Sequence, residues 1–381
     1  MSFNYSTRVL GRKKQRMLHM YFLLYLIAIS STFATPQNTP KQKPSPTLKV
    51  LAQASKHKTS PQKVLSTLEQ TKKQDYLTCG INTGLAGFAY SDQKGNWTGF
   101  DVDFCRASAA ALFNDPTRVK FVPLTSKTRF TALTTGEIDL LYRNSTWTYT
   151  RDTSLGISFA GVNYYDGQGF LVHNSSHVNS VKELDGATIC VTPGTTTELN
   201  LADYFRKHSL KYSPLIVETV QQGIKAYEAK RCDAFTADYS ALHSIRSTLS
   251  SADEHTILAE IISKEPLGPA VRKNDDQWFK INSWILIALK NAEELGITSK
   301  NIEGLLKSNN PKIERFIGTI NLPATTQLGL SKHWAFNMIK MVGNYGEIYD
   351  RNLGPNTPLN IQRGLNKLWT EGGLIYGPPI R

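Results

Sequence analysis

From Tyr76 onward, short apolar runs alternate with stretches whose apolar residues recur at helical spacing. Tyr76–Ile81 is predicted as a strand that leads into the turn Gly84-Leu85-Ala86-Gly87. Asp101–Phe113 places Phe104, Ala107, Ala111 and Leu112 on one helical face. Val119–Val122 follows as a strand, Lys127–Thr134 as a helix, and Ile138–Tyr142 as a strand that runs into polar residues. Strands alternating with helices of this length predict an α/β fold with a mainly parallel sheet.

The same order returns downstream. Lys120–Asn144 lies over Pro214–Asp238 without a gap at a constant offset of 94, so that Phe121 meets Leu215, Phe130 meets Ile224 and Asp139 meets Asp233. Each copy ends its second strand at a polar side chain, Asn144 in one and Asp238 in the other. Two lobes of like topology are therefore expected, each presenting polar groups at the carboxyl ends of its strands, the edge where open α/β sheets bind ligands. Asp276–Arg381 is long and helix-rich, with apolar positions at Trp284, Ile287, Leu289, Trp334, Met338, Met341 and Ile348. It is read as helices packing on the first lobe.

The amino terminus follows a different pattern. A basic run at Arg12–Arg16, an apolar stretch Met17–Ile29 and small residues up to Ala34 have the order of an export signal, with cleavage expected after Ala34; an uncleaved anchor is the alternative. Residues 35–75 are rich in Lys, Gln, Thr, Ser and Pro, a composition that buries too little apolar surface to order itself, and a flexible basic spacer is expected there. These segments decide how the charge is read. The chain of 381 residues carries a formal +13, which taken whole suggests a polyanionic partner, yet residues 1–75 hold thirteen bases against two acids and so account for +11. The remaining body is nearly neutral, and no nucleic-acid partner is expected.

The four cysteines, Cys79, Cys105, Cys190 and Cys232, form no C-x-x-C pair and have no histidine at metal-ligand spacing. No metal or cofactor is expected. In an exported chain an even count suggests disulfides. Of the three pairings, Cys79–Cys105 with Cys190–Cys232 keeps each bridge local; buried free thiols are the alternative.

Three groups at the strand ends carry candidate chemistry: Arg143–Arg151, closing on an arginine; Gly194-Thr195-Thr196-Thr197, opening a helix after the strand Ala187–Val191; and Asp238, after Cys232–Thr236. A helix N-terminus suits an anion, and threonine hydroxyls add donors. An arginine can fork onto a carboxylate, and a facing aspartate matches an ammonium group. Together they fit the zwitterion of a free α-amino acid. Each has a plainer reading: Thr195–Thr197 as a helix cap, Arg151 with Asp152 as a solvated pair.

At this point the chain resembles the extracytoplasmic solute-binding proteins of amino-acid ABC transporters, family 3. Gly99-Phe100-Asp101-Val102-Asp103-Phe104, then Arg129-Phe130-x-Ala132-Leu133 through Thr146-Trp147-Thr148-x-x-Arg151, then Val191-x-x-Gly194-Thr195-Thr196 and Cys232-Asp233-Ala234-Phe235-x-x-Asp238 carry the likeness in order. Asn163–Phe170, Thr195–Phe205, Ile261–Val271 and Trp369–Arg381 are similar to the general L-amino-acid-binding branch. The resemblance implies a two-lobed periplasmic-binding-protein fold of type II, the Venus-flytrap arrangement, with a helical C-terminal extension: 76–166 with 270–381 as the first lobe, 167–269 as the second, and crossings near Tyr165–Leu171 and Pro266–Val271. It implies that Arg151 holds the ligand carboxylate with Thr146, Thr195 and Thr196, that Asp238 and Asn144 hold the amino group, and that Arg143 and Thr197 line the pocket. Leu85 stands where many relatives place an aromatic ring, which suits a tolerant pocket.

The implied function is capture of free L-amino acids of broad range in the periplasm and delivery to the membrane permease of an ABC importer, by a monomer that closes on its ligand. Other relatives of the fold are periplasmic dehydratases or sensor domains. A dehydratase needs a proton donor poised in the cleft, and the eight histidines form no evident pair or triad; a sensor needs a following membrane helix. Binding without chemistry is the reading taken.

Overall fold

The structure, a computed structural model, describes residues 65–381. The export signal and residues 35–64 of the expected spacer lie outside the described residues. The spacer was expected to reach residue 75, and here the structure differs. Thr67–Gln74 is a helix, α1, closed at its start by a reciprocal capping box of Ser66 and Glu69. It buries Leu68 and Thr71, and Asp275 accepts from the Thr67 N–H at 2.9 Å. A polar composition concealed a helix whose order comes from its cap and from one apolar residue docked on the body.

The first half then runs β1 (Leu77–Asn82), the hairpin β2 (Tyr90–Ser91) and β3 (Trp97–Thr98), α2 (Phe100–Phe113), β4 (Val119–Leu124), α3 (Arg129–Thr134), β5 (Leu140–Leu141), α4 (Tyr149–Ser154) and β6 (Ile157–Phe159). A first crossing, β7 (Tyr164–Asp166) and β8 (Gln168–His173), leads into β9 (Thr188–Val191), α5 (Thr196–Lys207), β10 (Ser213–Ile216), α6 (Val220–Glu228), β11 (Ala234–Asp238), α7 (Tyr239–Ser247) and β12 (His255–Ile257). The return crossing is β13 (Glu265–Leu267) and β14 (Ala270–Arg272). Five helices follow: α8 (Asp276–Glu294), α9 (Pro311–Ile317), α10 (Pro323–Leu328), α11 (Trp334–Val342) and α12 (Tyr345–Asn352).

The two large sheets have matching orders, β4-β1-β5-β14-β6 and β10-β9-β11-β8-β12. The offset of 94 carries β4, α3 and β5 onto β10, α6 and β11, so the internal repeat is structural. Neither sheet is wholly parallel. β14 runs antiparallel to β5 and β6, and β8 antiparallel to β11 and β12. Each of these strands enters its sheet from a crossing, at the edge where its neighbours end, and so must run the opposite way.

Both local disulfides are present. Cys79 in β1 meets Cys105 in α2, and Cys190 in β9 meets Cys232 just before β11, with Cα separations of 6.1 and 5.6 Å. The C-terminal helices share one continuous core with the first sheet. At its centre the Phe100 ring is met edge-on by Phe88, Phe104, Tyr164, Tyr345 and Tyr349, with ring centres 4.8–6.0 Å away.

The Gly99-Phe100-Asp101 motif now has a physical reason. The first N–H groups of α2 are taken by the Gly87 and Phe88 carbonyls, at 2.8 Å to Phe100 and 3.0 Å to Asp101. That close approach requires φ = +134° at Gly99, where a Cβ would lie 2.2 Å from the Phe88 carbonyl oxygen. Gly99→Ala is expected to lower the unfolding free energy by about 2–3 kcal/mol, read as a lower urea midpoint with unchanged slope; an unmoved midpoint would mean that the helix start can shift without cost.

Candidate functional site

The strand ends of both sheets face one another across a cleft. Its cavity, about 70 Å³, is several times the roughly 10–15 Å³ that admits one water. Asn82, Leu85, Arg129, Arg143, Asn144 and Thr146 line it from the first lobe, and Thr195, Thr196, Thr197, Thr219, Asp238, Ala241 and Ile245 from the second. Eight of the nine expected site residues are thus brought together. Among the described residues no group of three or more His, Cys, Asp or Glu is disposed to hold a metal ion.

Arg151 is the residue the structure does not bring to the cavity wall. Thr148 caps α4, and within that single turn the Arg151 guanidinium folds back, donating to the Thr146 carbonyl at 3.0 Å. Two guanidinium groups lie over the Phe130 ring, Arg151 at 5.2 Å and Arg129 at 4.9 Å from its centre. Arg129, part of the family-like Arg129-Phe130-x-Ala132-Leu133 motif, lines the cavity instead. Its Nη1 donates to the Arg143 and Asn144 carbonyls at 3.2 and 3.1 Å, and its Nε has no protein partner. Burial, then the neighbouring Arg143 and Arg151, push the Arg129 pKa well below the usual range. Arg143, whose Nε donates to the Leu124 carbonyl at 2.9 Å, is pushed down to about 10, chiefly by burial.

Asn144 turns at φ = +38° directly after Arg143, a left-handed conformation that asparagine tolerates better than most residues. Its N–H donates to Asp101 at 3.2 Å, its side-chain oxygen accepts weakly from Asn82 at 3.4 Å, and its Nδ2 has no protein partner. Two donors, Arg129 Nε and Asn144 Nδ2, are therefore left unmatched beside the cavity.

The threonine loop is a helix cap that also lines the cavity. Thr195 caps α5, accepting from the Glu198 N–H at 3.2 Å, and its hydroxyl bonds the Thr192 carbonyl and the Thr197 hydroxyl, each at 2.7 Å. Those hydroxyls serve the fold. Thr196 and Thr197 stand in the first turn, whose N–H groups have no acceptor within the helix.

Across the cleft Asp238 ends β11 and precedes α7 without capping it. The carboxylate is pushed well above its usual range, first by burial, then by the charges of Asp166 and Glu265, against the opposing pull of Arg129 and Arg151. Asp166 is itself raised to about 6 by burial, and accepts from the Ser240 hydroxyl at 2.5 Å.

Glu265, on the return crossing, carried no signal beyond one acid within an apolar stretch. It is almost wholly buried and accepts four hydrogen bonds: Thr146 at 2.6 Å, Thr196 at 2.7 Å, Asn200 at 2.7 Å and Ser263 at 2.6 Å. Both lobes meet at this carboxylate. They also touch through Lys127 and Glu218 at 2.8 Å, Gln221 Nε2 donating to the Gly84 carbonyl at 2.9 Å, and the Ser244 hydroxyl donating to the Ala86 carbonyl at 2.7 Å. The cleft is closed.

Comparison with known proteins agrees with this arrangement. Residues 77–301 match the model of bacterial extracellular solute-binding proteins, family 3. The general L-amino acid-binding periplasmic protein AapJ of Rhizobium johnstonii is 57% identical over 317 residues, 83% of this chain and 93% of that one. The glutamate/glutamine/aspartate/asparagine-binding protein BztA of Rhodobacter capsulatus is 50% identical, over 83% of this chain and 94% of its own. A periplasmic binding protein of an ABC transporter from Brucella ovis, solved with glutathione bound, superimposes with a TM-score of 0.82 at 53% identity, covering 84% of this chain and all of that one.

Asp101 lies behind the site, buried, its carboxyl raised to about 7 chiefly by burial. An acid whose folded pKa exceeds its unfolded value of 3.8 binds more protons when folded, so its contribution to stability falls as pH rises between those values. Asp101→Asn, which keeps an acceptor for the Asn144 N–H, removes that loss. Relative to the parent, the variant is expected to gain about 2–3 kcal/mol between pH 5 and pH 8, measured by urea unfolding at both; a constant difference would mean that Asp101 stays ionised throughout.

Proposed function

The chain belongs to the bacterial extracellular solute-binding proteins of family 3, and on that premise we propose that it captures free L-amino acids of several kinds outside the cytoplasm and presents the closed complex to the permease of an ABC importer. The observation that carries this reading is the pairing in one small cavity of Asp238, a buried carboxylate that makes no cap bond to α7, with Arg129, Arg143 and the start of α5. A zwitterion carries one group of each sign for that pairing. Its ammonium group would neutralise Asp238 and offer a donor to the Asn144 side-chain oxygen. Its carboxylate would take the free N–H groups at the start of α5 and the charge of Arg151, with Arg129 and Arg143 as further cationic lining and Thr146, whose hydroxyl proton goes to Glu265, beside it.

A bound ammonium would also draw the Asp238 pKa back down, because an opposite charge within a few ångströms favours the ionised form. Leu85, Ala241 and Ile245 leave an apolar, undirected wall for the side chain, which supports broad range. We read the lobes as dividing at the crossings, 76–166 with 270–381 against 167–269, and the protein as an exported monomer cleaved after Ala34 that binds without chemistry. The names of AapJ and BztA, both amino-acid-binding proteins, support the ligand class.

A thermal-shift screen of the twenty amino acids is expected to raise the melting temperature with several of them, since a ligand bound only by the native state stabilises it. No shift with any would overturn the reading. Asp238→Ala and Arg151→Ala are each expected to weaken binding by about 100-fold or more, the cost of leaving a buried ligand charge unpaired, with the far-UV spectrum unchanged. Affinity retained in either variant would sink that residue's assignment.

A further inference from the structure

The C-terminal extension does more than cover the first lobe. Three consecutive residues of the first crossing are held by it. The Asn163 carbonyl accepts from the Tyr345 hydroxyl at 2.9 Å. The Tyr164 ring lies parallel to that of Tyr349, 6.1 Å between centres and 2° between planes. Tyr165 is gripped at both main-chain groups by one side chain: its N–H donates to Asn366 Oδ1 at 2.7 Å, and its carbonyl accepts from Asn366 Nδ2 at 3.0 Å.

The pairing has a structural cause. β7 and β13 form a two-stranded ribbon with Tyr165 opposite Pro266. Pro266 has no N–H, and its carbonyl is taken by the Trp147 N–H at 2.8 Å. Both polar groups of Tyr165 therefore point off the outer edge of the ribbon, where they must find partners. The Asn366 amide has the donor and acceptor of a peptide group and stands in for a third strand.

Asn366 is itself fixed. Arg363 Nε donates to its carbonyl at 2.8 Å, while the guanidinium lies over Tyr345 and Tyr349 at 5.2 and 4.9 Å and forks onto Glu293 of α8 at 2.8 and 3.2 Å. One residue further along the crossing, the partners change lobe. Asp166 accepts from the Ser240 hydroxyl, and the Gly167 carbonyl accepts from the Tyr239 N–H at 2.7 Å.

We infer that the C-terminal segment is a hinge clamp in which Asn366 is the positioning residue, confining the pivot of the first crossing to the Tyr165–Asp166 junction. Residues up to Tyr165 move with the first lobe and residues from Asp166 move with the second. A narrow pivot limits the range of open states, and every open state excluded lowers the free energy needed to close on a ligand. None of Asn366, Arg363, Tyr345 and Tyr349 lines the cavity, so the clamp acts on affinity without regard to the ligand side chain. The inference rests on the amino-acid-binding reading for its affinity arm alone.

The experiment uses the full chain with Asn366→Ala and, in case that variant fails to fold, Tyr345→Phe, which deletes the hydroxyl and keeps the ring. Dissociation constants for L-glutamine and L-alanine are measured by calorimetry, and radii of gyration by small-angle scattering with and without saturating ligand. For Asn366→Ala both dissociation constants are expected to rise by the same factor, about five- to tenfold. The ligand-free radius should increase while the saturated radius matches the parent's. Tyr345→Phe should move in the same direction by about two- to threefold. Unchanged constants, or factors that differ between the two ligands, would overturn the clamp. Should the parent bind neither amino acid, the binding reading fails, and the ligand-free radius still decides: an increase in the variants upholds the clamp and equal radii overturn it.

Discussion

The carboxylate of Glu265 is the point on which the arrangement turns. A buried acid is costly unless its oxygens are fully engaged, and here four donors engage them, from the first lobe, the second lobe and the crossing itself. The threonine of the first lobe and the helix start of the second are thereby drawn to one point, 3.2 Å apart at their hydroxyls. Thr146 and Thr196, brought together in this way, both line the cavity.

Around this point the molecule repeats one solution twice. Each sheet ends its parallel strands at the cleft and receives one antiparallel strand from it, and each lobe pins a central strand to a neighbouring element by a local disulfide. The repetition gives two polar edges that can meet face to face. Their charges are unequal: the first lobe brings Arg129 and Arg143, the second Asp238. A small molecule with both signs of charge is matched by such a pair of edges, whereas a polyanion would find the aspartate in its way. The +13 of the chain does not alter this, since +11 of it lies in residues 1–75.

The C-terminal helices share the core of the first lobe, so their stability and the rigidity of that lobe are one property. The cluster around Phe100 joins Tyr164 of the first crossing to Tyr345 and Tyr349 of the extension. Packing that begins in the Gly99-Phe100 motif is in this way continuous with the first crossing.

The sequence by itself determined the alternation of strands and helices, the internal repeat and the polar positions at the strand ends, and it made local cysteine pairing the first candidate. All of these are periodic or short-range, and the chain writes them directly. It hid α1, because a cap and one docked leucine leave little apolar signal, and it did not tell which arginines line the cavity. Periodicity sets the face on which Arg129 or Arg151 lies; whether a guanidinium reaches the cavity or is captured by a carbonyl such as that of Thr146 depends on the turn it folds against. Glu265 and Asn366 were illegible for a related reason. Their partners lie up to 201 residues away in the chain, and only the tertiary structure decides which buried acid gathers four donors and which amide completes the edge of a strand.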